Sequence, residues 1–175
     1  MTDAVSRVNA MTKDAFVEAF GPIYECSPWI ADAAFAQAPF ADTAAVAAAL
    51  RGVIAAAPDE AKLALVREHP ELARRAGVDT TLTDASRAEQ ASAGLDRLTP
   101  VEYARFNALN DAYRARFEMP FVICVRLSDK DFILSEMERR GANTPAEELA
   151  TALGEIDKIA ALRCAEVFRR LEEPS

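Results

Sequence analysis

Two Thr-Pro-x-Glu tetrapeptides, Thr99–Glu102 and Thr144–Glu147, constrain most strongly what this chain can fold into. In each, the threonine can cap a helix and the glutamate can reach back to the cap N–H, with proline in the first turn, where its missing N–H costs nothing. Behind the first box, Phe106, Leu109, Tyr113 and Phe117 fall on one helical face, while Arg105, Asp111 and Arg114 fall elsewhere. The second opens a long last helix reaching to about Leu171. Similar punctuation recurs along the chain. Thr12 caps a helix carrying Phe16 and Phe20, with Gly21 as its stop, and Ser27-Pro28 reads as an N-cap followed by a first-turn proline. Asp42 caps a stripe of Val46, Leu50 and Val53, Pro58 restarts a shorter helix that Pro70 ends, and Ser128–Asp131 opens one carrying Ile133 and Met137 up to Gly141. Only Phe121–Val125 has a strand-like composition, and so short an apolar run cannot be typed by periodicity. The pattern predicts an all-α, compact single-domain bundle of about eight helices over residues 1–175, its ordered core roughly 12–172, with Trp29, Met119 and Met137 in the core.

The charge balance narrows the partners. A formal net charge of -8 with no basic cluster argues against nucleic acid and anionic membrane, since both need concentrated Lys and Arg. No apolar run approaches the roughly 20 residues of a membrane helix. The start MTDAVSRVNA has no apolar signal core and the end EEPS is not a Ser-Lys-Leu address, so a cytoplasmic location is expected. Cys26, Cys124 and Cys164 are widely spaced and read as reduced thiols. One histidine and no clustered cysteines offer no metal-ligand set, and there is no Gly-rich phosphate loop.

Four features can carry chemistry. His69, the only histidine, alone titrates unperturbed near neutral pH. Pro70 ends its helix and pushes it out of helical backbone, which suits a side chain pointing into a cleft, although a surface histidine at a helix end fits as well. Ser86–Glu89 matches a capping box; alternatively Ser86, Glu89 and Gln90 form a polar rim at a helix start, where free N–H groups attract an anion. Arg163 lies in the last helix on a stripe with Leu149, Ile156, Ala160 and Val167; either it snorkels out of the stripe or, as a buried guanidinium, it needs an anionic partner, an internal carboxylate or a ligand. Phe121–Val125 is core, or an extended segment whose backbone can pair with a planar heterocycle.

Taken together, several stretches resemble the OHCU decarboxylase family, the 2-oxo-4-hydroxy-4-carboxy-5-ureidoimidazoline decarboxylases of urate degradation. They are FGPIYECSPWIA (20–31), PFAD (39–42), REHPELA (67–73), SRAEQASAGLDRLTPVEYARFNALNDAYRARF (86–117), PFVICV (120–125) and EIDKIAALR (155–163). The resemblance spans almost the whole chain in order. It departs at Glu118-Met119, where the family usually has Gly-Phe, and this bears on the entry to Phe121–Val125.

The resemblance implies an all-α carboxy-lyase that needs no cofactor or metal and works as a homodimer. The substrate carries a hydroxyl and a carboxylate on one carbon beside a C=N bond, so loss of CO2 pushes electrons into a sink the substrate itself provides. Protonation from one face then gives (S)-allantoin. His69 becomes the catalytic acid/base, moving the hydroxyl proton or delivering the final one, and Glu89 orients it. Pro70 shapes the wall. Ser86, Arg87, Ala88, Glu89 and Gln90 line the substrate, with Ser86 and Gln90 on its ureido and ring polar atoms. The backbone of Phe121, Val122, Ile123, Cys124 and Val125 pairs with the ring, and Arg163 engages the carbonyl or carboxylate side. Two other classes fit the composition: a non-enzymatic α-helical interaction domain, and a same-fold enzyme acting on a different ureide.

Overall fold

The computed structural model describes residues 3–73 and 83–173; residues 74–82, in the middle of the stretch around His69 and Gln90, lie outside the described residues. Among the described residues every regular element is helical. The nine α-helices are α1 (Asp3–Asn9), α2 (Lys13–Phe20), α3 (Trp29–Ala34), α4 (Thr43–Ala56), α5 (Asp59–Arg67), α6 (Asp84–Ser92), α7 (Pro100–Phe117), α8 (Lys130–Arg140) and α9 (Pro145–Glu172). They pack as two compact units, one formed by Met1–Leu65 with Asp157–Ser175 and the other by Val66–Ile156.

The capping residues act as their chemistry requires. The side chains of Thr12, Asp42 and Asp129 accept the first free N–H groups of α2, α4 and α8. Both Thr-Pro-x-Glu boxes close: Glu102 accepts the Thr99 N–H and Glu147 the Thr144 N–H, each at 2.8 Å. A cap of this kind is worth about 1 kcal/mol. Helix α3 starts one residue later than expected, at Trp29 after Pro28, and Ser27 makes no side-chain cap there. Trp29 is 39% exposed, a correction to its core assignment, whereas Met119 and Met137 are buried. Helix α1, with Ala4, Val5 and Val8 buried, precedes the first helix the punctuation announces.

In the first unit Phe16 lies between Phe20 and Phe40, with ring centroids 4.6 and 5.7 Å away. Asn9 pins the chain at Phe40 by exchanging two 2.8 Å hydrogen bonds with its backbone. In the second unit α7 and α8 pack together and are bridged by the Lys130–Glu102 and Arg105–Glu138 ion pairs. Its interior holds a charged centre. Arg140 donates through Nε to Glu148 at 2.8 Å, and Tyr113 donates its hydroxyl to the same carboxylate. Arg140 and Glu148 are almost wholly buried, so each is tolerable only because the other is there. Burial and the Glu148 charge push the Tyr113 phenol above its ordinary range, keeping it a neutral donor.

Phe121–Cys124 is neither helix nor strand, Cys124 itself is in extended backbone, and a 3-10 turn follows at Val125–Leu127. At its entry Glu118 has φ 54° and ψ 27°, the left-handed conformation that closes α7. That is where the resemblance expects glycine, the residue adopting this conformation without steric cost.

Candidate active site

His69 sits on a turn fastened at several points. Helix α5 ends at Arg67, and the His69 N–H still reaches back to the Val66 carbonyl at 3.1 Å. Pro70 then turns the chain away, because its ring forbids another helical step. Downstream, Glu71 is buried and pairs with Arg114 of α7, and Asn110 of α7 donates to the Leu72 carbonyl at 2.9 Å. The Ala73 N–H donates to Gln90 Oε1 at 3.1 Å, across to α6. Only 7% of the His69 surface is exposed. The side chain therefore belongs to the interior of its unit and is not the surface histidine that its position also allowed.

Helix α6 presents one face to this turn. Thr83 is its cap and accepts the Ser86 N–H at 3.2 Å, which corrects the reading of Ser86–Glu89 as the capping box. Ser86 is thus the third residue of the helix. It shares a buried side with Gln90, one turn on, because residues four apart are neighbours on a helix. Glu89 is half-buried, whereas Arg87 and Ala88 are exposed on the other side and fall away from the group.

The third component is the extended segment. Helix α6 packs against Val125–Leu127, and Phe121, Val122, Ile123, Cys124 and Val125 are all buried. The Val122 carbonyl accepts from Arg140 Nη1 at 2.8 Å, and the Cys124 N–H donates to Glu155 Oε2 at 2.9 Å. Burial foremost, then the Glu155 carboxylate and more weakly Glu89, push the Cys124 thiol above its ordinary value. A thiol held neutral this way is a poor nucleophile and serves as packing.

The structure thus gathers the His69–Pro70 turn, the Ser86–Gln90 face of α6 and Phe121–Val125 within one unit. Arg163 belongs to the other unit. There it donates to Glu25 Oε1 at 2.9 Å and to the Ile23 carbonyl at 3.1 Å, so the internal carboxylate that a buried guanidinium requires is Glu25. Sequence reasoning missed Asn110, Arg114, Arg140 and Glu155. Arg140 was within its reach: it stands three residues after Met137 and seven after Ile133, on their apolar stripe, as Arg163 does on its own. Asn110 and Glu155 bond backbone far away in sequence, and Arg114 pairs with the Glu71 carboxylate 43 residues back, which no local pattern signals. No group of three or more potential metal ligands occurs among the described residues.

Comparison with known proteins gives one answer. The model of the OHCU decarboxylase family matches residues 9–165. The 2-oxo-4-hydroxy-4-carboxy-5-ureidoimidazoline decarboxylase of Haloferax volcanii is 44% identical over 164 residues, covering 94% of this chain and 95% of that protein. The protein of the same name from Xenopus laevis is 36% identical over 98% of each chain. Among solved structures, that of an (S)-allantoin synthase superposes with TM-score 0.75 and 28% identity, covering 93% of this chain and 53% of that one. An OHCU decarboxylase structure at 19% identity and TM-score 0.70 shares the fold. With a family match along nearly its whole length and relatives of the same extent, this chain belongs to the OHCU decarboxylase family.

Proposed function

We propose that this chain decarboxylates 2-oxo-4-hydroxy-4-carboxy-5-ureidoimidazoline to (S)-allantoin in urate degradation. The observation that carries the reading is the Gln90 clasp on the Ala73 N–H, which joins the turn bearing the chain's only histidine to the polar face of α6. His69 exchanges a proton with the substrate, being the one side chain there whose ordinary pKa lies near neutrality. Glu89 orients the imidazole. Ser86 and the remaining polar capacity of Gln90 meet the ureido and ring atoms, Pro70 walls the ring, and the Phe121–Val125 backbone pairs with its edge. Arg163 engages the carboxylate side in addition to its bond with Glu25. Electrons left by departing CO2 enter the substrate's own C=N, whose nitrogen takes a proton from solvent; the hydroxyl then becomes a carbonyl as its proton leaves, and the neighbouring carbon takes a proton from one face. No cofactor is required for that sequence.

We also propose a single working domain over 1–175, a homodimer and a cytoplasmic location. The net charge of -8 supports a small-molecule substrate over nucleic acid. No helix among the described residues is long and apolar enough to cross a membrane. Size-exclusion chromatography with light scattering tests the dimer.

A coupled assay tests the activity. Urate is oxidised in situ, the first product is hydrolysed to fresh substrate, this protein is added, and circular dichroism follows the handedness of allantoin. Rapid growth of the (S) form above background is expected. Racemic allantoin at the background rate overturns the reading.

A further inference from the structure

Phe121–Cys124 is a buried segment outside any helix or sheet, and its backbone polar groups still need partners. Two charged side chains supply them. Arg140 of α8 donates to the Val122 carbonyl at 2.8 Å and lays its guanidinium over the Phe121 ring, 4.2 Å from the centroid. Glu155 of α9 accepts the Cys124 N–H at 2.9 Å.

The spacing has a consequence. The clamps hold Val122 and Cys124, two residues apart, through C=O and N–H respectively, and neither clamp engages the N–H or C=O of Ile123 between them. Fixing both flanks by charged hydrogen bonds, which are about twice as strong as neutral ones, sets the direction in which Ile123 presents its own groups.

We propose that Glu155 is a positioning residue of the active site: through the Cys124 N–H, and together with the Arg140 clamp at Val122, it orients the backbone groups that receive the substrate ring. This rests on the reading that Phe121–Val125 binds the ring. Glu155 acts through the segment and not on the reacting atoms, so its loss is felt in substrate binding.

The test compares Glu155→Leu, which removes the acceptor, with Glu155→Gln, which keeps it, by steady-state decarboxylation kinetics and thermal unfolding. The leucine variant is expected to raise KM about 10- to 100-fold with kcat within about threefold of wild type, the scale of one charge-assisted hydrogen bond. The glutamine variant is expected to stay within about threefold of wild type on both constants. A leucine variant with wild-type KM overturns the proposal, including the case in which kcat falls with the folded fraction, as a purely structural role would produce. A glutamine variant as impaired as the leucine one overturns it too, because the acceptor is still there. If Glu155→Leu does not fold, Cys124→Pro deletes the other end of the same bond, and Cys124 already has φ -73°, which a proline ring accepts. The same rise in KM supports the proposal, and a wild-type KM overturns it. Wild-type protein with no decarboxylase activity would overturn the proposed function itself, an outcome distinct from all of these.

Discussion

The side-chain oxygen of Gln90 holds the N–H of Ala73 at 3.1 Å, and that bond ties the His69–Pro70 turn to helix α6. Ala73 is left-handed, with φ 57°, a conformation that costs a non-glycine residue about 1–2 kcal/mol. The bond to Gln90 helps offset that cost. Gln90→Leu removes it and leaves the Ala73 N–H buried without its acceptor, a loss of about 1–3 kcal/mol. We expect a thermal midpoint lower by several degrees and a kcat reduced about 10- to 100-fold through a displaced histidine. A Gln90→Leu enzyme with unchanged kcat would show that the turn keeps its shape without the clasp.

His69→Ala should abolish decarboxylation while leaving helicity by circular dichroism unchanged. The imidazole lies on a turn whose backbone bonds run through Val66, Leu72 and Ala73, none of which depends on the His69 side chain. An active His69→Ala protein would remove His69 from the proposed mechanism.

Glu118→Gly should stabilise the protein by about 1 kcal/mol, because φ 54° is strained for glutamate and free for glycine. The ion pair it forfeits, Arg67–Glu118 at 3.9 Å, joins two exposed side chains and contributes little. Arg67 keeps its 2.9 Å bond to the backbone carbonyl of residue 118. For a chain of this size the thermal midpoint should rise about 2–4 °C. A fall instead would mean that the surface pair outweighs the backbone strain.

Arg163→Met removes the buried ion pair of Glu25, whose side chain is only 2% exposed. Breaking one side of such a pair costs about 3–5 kcal/mol, whereas the double change Arg163→Met with Glu25→Leu should recover most of it. Urea unfolding of the three variants measures both numbers. On the proposed function, each Arg163 variant also raises KM. Wild-type KM in the double variant would confine Arg163 to its structural pair.

Stability should fall at alkaline pH through Cys164. Burial pushes this thiol up to about 11 from its ordinary value of 9.0. A raised folded-state pKa means the unfolded chain releases its proton first. The contribution is therefore whole below about pH 9 and is lost as pH climbs from there to about 11. Denaturant midpoints across that range should decline less steeply in Cys164→Ala than in wild type. Parallel declines would assign the loss to other groups, such as the buried Tyr24 beside it.

Much of the fold is written locally. Thr12, Asp42, Thr99, Asp129 and Thr144 start helices because a side-chain oxygen three residues ahead of a bare N–H stabilises the first turn wherever it occurs. Pro70 ends α5 for an equally local reason, and apolar periodicity assigns Phe106, Tyr113 and Phe117 to the interior without knowing what they touch. The sequence by itself thus determined an all-helical chain, the end of a helix at its one histidine, and a last-helix arginine that needs an anion. Only the tertiary structure decided which anion, Glu25, and which residue caps α6, since Thr83 takes the place Ser86 could have filled. It alone showed that Gln90 holds the histidine's turn and that Arg140 and Glu155 replace a sheet along Phe121–Val125. The physical reason is range. Caps and helical stripes are fixed by neighbours within a turn or two, whereas a buried polar group takes whatever partner packing delivers, and that partner lies 17 residues away for Gln90 and 138 for Arg163.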